Sequence, residues 1–251
     1  MRHGMMRGAA LPLRALWSPG LALDAVAARP AAALTSLVLL AAALGAACLP
    51  RLLGLLDGAL RPTGQELLDA HLAVLRLGLA RLIWFERLVP PLSFAAGGAL
   101  LWLVAAPVLA GRGVSAGRVA AVLALGLAPV LVQRAGELAV VLASPAAGLA
   151  AGEVARLPAR FNVGLAGALA AAGVVAPGWL GVAAEAVNGI GVWVVALWAW
   201  GLSRLDRDAL RSGRTAHAPW WVLAAALAYA AGCTLYAALY PVLLLLVMGA
   251  P

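Results

Sequence analysis

Residues 179–204 are apolar throughout apart from Glu185, Asn188 and the closing Ser203-Arg204. At 1.5 Å rise per residue, a helix of about 20 residues matches a hydrocarbon core of roughly 30 Å. Glu185 and Asn188 stand three apart, so a continuous helix puts them on one face, one turn from each other. Lipid penalises both groups, and that face is expected to look into a bundle of other helices. Further apolar runs near residues 31–49, 91–110, 118–142 and 219–248 extend the argument. The fold class expected is all-α: a polytopic transmembrane helix bundle of five spans.

Composition agrees. The chain is 65% hydrophobic and 11% charged, whereas a soluble domain is about 45–50% apolar and about 25% charged. Every one of the 18 basic residues is arginine, in a chain dominated by Ala, Leu and Gly. That resembles the composition of proteins from GC-rich bacterial genomes, and the membrane expected is the bacterial cytoplasmic (inner) membrane. A net charge of +8 would suggest nucleic acid in a soluble protein. Here the arginines are spread through short loops, which fits orientation and anionic headgroups, and no nucleic acid is expected. Cys48 and Cys233 stand far apart in apolar sequence with no metal-ligand spacing around them. Neither a metal nor another cofactor is implied.

Taken in order, residues 1–30 form a basic cytoplasmic N-terminal segment, and residues 31–251 the transmembrane helical domain. Pro19-Gly20 interrupts a short surface-helix pattern in the former. The first span, 31–49, is closed by Pro50-Arg51. The loop that follows holds an amphipathic helix over 65–88: Leu68, Leu72, Leu75, Leu79, Leu82 and Ile83 recur at helical spacing, while Glu66, Asp69, Arg76 and Arg87 stay polar. This predicts an interfacial helix leading into the second span. After it Gly111 and Gly113 turn the chain, with Ser115 as N-cap. Pro129 lies inside the third span and is expected to kink it. Residues 161–176 are apolar but short, which suggests a re-entrant piece and leaves six spans as the alternative count. The last span opens on the aromatic pair Trp220-Trp221 and carries Tyr229, Cys233, Tyr236 and Tyr240 on one stripe.

With the N-terminus inside, the short inner segments collect Arg2, Arg7, Arg14, Arg29, Arg112, Arg118, Arg204, Arg207, Arg211 and Arg214, as the positive-inside rule requires. In that topology Arg134 lies about sixteen residues into the third span, roughly 24 Å deep. Glu185 enters from the other side, about six residues or roughly 9 Å down. In a core of about 30 Å these depths nearly coincide. Arg134 is expected to contact Glu185, with Glu137 and Asn188 close enough to share hydrogen bonds. A clamp that fixes helix register is the plainer meaning of such a buried polar cluster; an ion or proton site is the sharper one.

Three segments together resemble the bacterial branch of the Yip-domain (Ypt-interacting-protein) family of small five-span membrane proteins. They are Trp17-Ser18-Pro19 followed by Arg29-Pro30; Gly111 and Ser115 leading into a helix with Pro129; and Phe161-Asn162 with Gly164-Leu165, followed by Trp193, Leu197, Gly201 and Leu202. The aromatic residue that the family usually places before the third-span proline is absent, since Leu125-Gly126-Leu127-Ala128 stands there. The resemblance implies five helices and a non-enzymatic membrane role.

Two classes of function follow. The first is a non-enzymatic multi-pass protein that acts through helix–helix contacts with a membrane partner or a second copy of itself, or by organising the bilayer. The alternative is a transporter or channel subunit with a polar site around Arg134, Glu185 and Asn188. An enzyme is not expected: His3, His71 and His217 lie outside the expected spans, and no nucleophile–base pair or paired acids at helical spacing occurs within a span.

Overall fold

The computed structural model describes residues 18–27, 30–88, 91–145, 148–161, 164, 187–209 and 218–248. These are helical almost throughout: α1 (Pro19–Ala27), α2 (Pro30–Ala47), α3 (Leu49–Ala59), α4 (Glu66–Leu88), α5 (Pro91–Ala110), α6 (Ala116–Leu125), α7 (Ala128–Ala143), α8 (Ala151–Arg156), a 3₁₀ turn (Pro158–Phe161), α9 (Gly189–Ala209) and α10 (Ala218–Met248). Among the described residues, three helical stretches are long and apolar enough to cross a membrane: Ala33–Ala59, Ala116–Ala143 and Pro219–Leu239. Phe94–Ala110 is a shorter apolar helix. The chain is a helical protein of membrane type.

Several boundaries differ from the sequence expectation, each for a local reason. Pro19 does not interrupt a helix but opens α1, where its missing amide costs nothing. That helix is not a free surface segment either, because Ala22, Leu23 and Val26 are buried in the main core. Similarly, Pro50 does not close the first span. It occupies the first turn of α3, so the helical path resumes one residue after Cys48 and runs on to Ala59. The long loop expected after residue 49 shrinks to the short connection between α3 and α4. Ser115 sits at the N-cap of α6 in an extended conformation, but its side chain makes no capping bond.

Two apolar clusters hold the helices together. In the larger, α6 is the hub: Val119, Ala121, Val122, Leu123, Ala124 and Leu125 are all buried, packed among residues of α1, α2, α5, α9 and α10. The smaller joins Leu52, Leu55 and Leu56 of α3 to Ile83 of α4, Val141 of α7, and Val154 and Leu157 around α8. A guanidinium N–H of Arg51 donates to the carbonyl of Ser144 at 2.9 Å, placing a cation on the C-terminal end of α7.

The stretch that covers the expected third span, Ala116–Ala143, is broken at Gly126-Leu127, with Pro129 in the first turn of α7. The Leu127 amide bonds to Ala124 at 3.1 Å, which leaves the Leu123 carbonyl without its usual helical donor. The indole N–H of Trp198, on α9, donates to that carbonyl at 3.1 Å. Gly126 makes the approach possible, since a Cβ there would overlap the Trp198 ring. The break is thus a joint: a neighbouring helix plugs the opened backbone.

Candidate functional site

A cluster of buried charges forms where α2, α4 and α7 converge. Gln133, Arg134 and Glu137 share one face of α7, three and four residues apart. Arg134 Nη1 donates to Glu137 Oε2 at 2.8 Å. Gln133 Nε2 donates to Oε1 at 3.0 Å. The third donor comes from another helix: Arg87, near the C-terminus of α4, gives an Nη1–H to Oε2 at 2.8 Å. The side chains of Arg87, Arg134 and Glu137 are only 8%, 2% and 6% exposed.

The backbone explains why Arg87 can reach so far in. Its carbonyl lies directly against Gly45 of α2, where a Cβ would collide with it. The small residue draws the end of α4 onto α2, and the guanidinium follows. Cys48, fully buried three residues on, lies in the adjoining apolar cluster, and its thiol reaches back to the Leu44 carbonyl at 3.6 Å. Both cysteines are free thiols.

The expected site residues therefore divide. Arg134 and Glu137 come together as an i,i+3 pair. Glu185, and with it the expected Arg134–Glu185 contact, lies outside the described residues. Asn188 is described and buried, but it does not sit mid-helix. It precedes the first residue of α9, and its Oδ1 accepts the Gly191 N–H at 2.7 Å. That is an N-cap, the natural post of an Asn followed by Gly. An isolated bridge also joins it to Gly164. Pro129 stands at the broken joint of the third span.

Arg87 was missed because an arginine on an amphipathic helix is ordinarily solvated. Its position at the very end of that helix, next to an apolar run, was the available signal. Asp206 was missed too. It lies inside the turn of α9 toward its C-terminus, fully buried, paired with Arg112 and accepting the Trp221 indole N–H at 3.1 Å. Of the tyrosine stripe, Tyr229 is buried with its ring 5.6 Å from that of Phe94. That contact joins α10 to α5.

Chemically, the Arg87–Glu137–Arg134 cluster is a carboxylate filled by donors on both oxygens. Removing one member of such a buried network is costly, whereas the network as a whole adds little net stability. Its effect is to specify that the end of α4 meets α7 at this register. Among the described residues, no three His, Cys, Asp or Glu side chains converge as metal ligands would. Set beside known proteins, the chain matches no family model, no curated protein and no solved structure.

Proposed function

We propose that the chain is a non-enzymatic multi-pass protein of the bacterial cytoplasmic membrane, of Yip-domain type, with five spans and its N-terminus inside. It acts through helix–helix contacts with membrane partners, or with a second copy of itself. The observation that carries the reading is the saturation of the Glu137 carboxylate by Gln133, Arg134 and Arg87. A transport site needs a carboxylate that exchanges its partners with cargo and water. This one is engaged on both oxygens by three side chains packed among helices, the arrangement of a register clamp.

The lipid-facing surface supplies what such a protein works with. Leu227, Leu235 and Leu239 on α10 are exposed, as are Leu39 on α2 and Leu103 on α5. In a bilayer, helices associate by close packing of faces like these.

Two measurements test the reading together. A photo-crosslinking residue at Leu239, in intact membranes, is expected to yield discrete protein adducts. The same probe at Arg61, exposed in the α3–α4 connection, is expected to give none. Purified protein in liposomes is expected to leave ion and proton gradients intact. A flux that Glu137→Gln abolishes would replace the clamp with a transport pathway.

A further inference from the structure

We propose that the end of the bundle formed by the α5–α6 turn and the C-terminus of α9 is a binding site for a phosphate group, carried by the headgroup of an anionic phospholipid. Here Arg112, Arg118 and Arg207 line an open cavity of about 660 Å³, together with Val114 and Asp208. That volume suits a headgroup-sized ligand.

The three arginines are not equivalent. Arg112 is committed: it pairs with Asp206, which is fully buried and also held by Trp221. This pair fixes one wall, and the wall turns sharply because Gly113 adopts φ of +81°, open mainly to glycine. Arg118 and Arg207, by contrast, are exposed and have no hydrogen-bond or ion-pair partner among the described residues. They project from different helices onto one cavity, with Asp208 the one acid among the described residues of its lining. The cavity wall therefore carries an excess of positive charge, and two forked guanidiniums suit the oxygens of a phosphate better than any single point charge. The N-terminal turn of α6 adds its dipole from the same side: it begins one residue after Ser115, whose hydroxyl makes no cap.

The source of the phosphate follows from position. Ala110 and Ala209 end helices that run from the apolar bundle, so the cavity opens at its rim, where anionic headgroups lie. This step rests on reading the arginine-rich end as the inner face of the membrane.

The test uses the full chain in zwitterionic detergent micelles, titrated with phosphatidic acid and followed by native mass spectrometry. The wild type is expected to retain one phosphatidic acid. Arg118→Gln with Arg207→Gln is expected to weaken that binding roughly thirtyfold, about fivefold for each charge. A control double variant, Arg61→Gln with Arg156→Gln, removes the same charge from exposed positions elsewhere and is expected to change binding by less than about twofold. Should the double variant unfold, Arg207→Gln alone is read in the same way, at about fivefold. Equal losses in the pocket and control variants, or none in either, would overturn the site. Glycerol 3-phosphate, added as competitor, separates the sources: failure to displace the lipid supports the headgroup, and displacement at equal concentration overturns it in favour of a soluble ester. Thiol labelling of a cysteine placed at Arg118, in intact cells, checks the orientation separately. Lipid binding with an outward-facing label would sink the proposed topology while leaving the pocket standing.

Discussion

Two of the helical stretches long enough to cross a membrane, Ala116–Ala143 and Pro219–Leu239, are apolar to nearly the same degree, yet they live in different surroundings. In Ala116–Ala143, 67% of the most apolar stretch is buried within the protein; in Pro219–Leu239 the figure is 17%. Hydropathy does not distinguish a hub from a rim. The difference lies in what interrupts the apolar sequence. The hub carries Gly126, Pro129, Gln133, Arg134 and Glu137, each of which needs a protein neighbour: a ring to plug a backbone gap, or donors for a carboxylate. The rim carries Leu227, Leu235 and Leu239, for which acyl chains are an adequate solvent.

The sharpest way to break that contrast is to remove the hub carboxylate. Glu137→Gln deletes the charge shared by Arg87 and Arg134, and the cost of breaking a buried ion network by one member is about 3–5 kcal/mol. Thermal unfolding in mild detergent should show a large loss of stability. Leu227→Ala, on the exposed face of α10, should stay within about 0.5 kcal/mol of the wild type. Comparable losses at the two positions would erase the distinction between hub and rim.

The broken joint gives a second, smaller effect. Gly126→Ala pushes a methyl group into the Trp198 ring and is expected to cost about 1–3 kcal/mol. Trp198→Phe removes the donor to the Leu123 carbonyl and is expected to cost about 1–2 kcal/mol. Because the two changes act on one contact, the double variant should be less damaged than their sum, by at least about 0.5 kcal/mol. Strict additivity, measured by unfolding of all four proteins, would mean that the indole and the glycine do not share a joint.

These particulars show what the sequence carries and what it does not. Apolar runs of bilayer length are local facts, and they yielded the helical membrane class. Pro129 is likewise local, because a proline removes its own amide wherever it stands. Arg87 is different: its burial depends on Gly45 of a distant helix, and no periodicity within 65–88 contains that information. Pro50 misled for the opposite reason, since a proline inside the first turn of a helix and one that ends a helix read alike until the backbone is seen. Asn188 is legible as a buried polar residue, but its role is that of a helix start: Asn-Gly at the head of an apolar run is an N-cap signature, which the length of the apolar run from residue 179 obscures.

The smallest effect lies outside both hub and rim, in the polar connection between α3 and α4, and it sharpens the comparison by showing a segment whose order depends on a single solvated charge. Asp69, in the first turn of α4, accepts hydrogen bonds from the Thr63 N–H at 2.7 Å, the Thr63 hydroxyl at 3.0 Å and the Gly64 N–H at 3.0 Å. The backbone N–H of Thr63 is the main reason its carboxyl titrates below the usual aspartate range, with the Thr63 hydroxyl and Gly64 N–H adding to it. A depressed value in the folded state means that the order it confers is complete above the ordinary aspartate pKa and is lost as pH falls through the lowered one. Hydrogen exchange at the Thr63 and Gly64 amides should therefore show protection, corrected for intrinsic rates, that holds at neutral pH and drops in strong acid, while protection in α6 stays unchanged. Asp69→Asn should remove that acid-dependent step. If the step persists in the variant, the loop is ordered by something other than this carboxylate; if α6 loosens along with it, the connection is not the separable, water-facing element that its three hydrogen bonds describe.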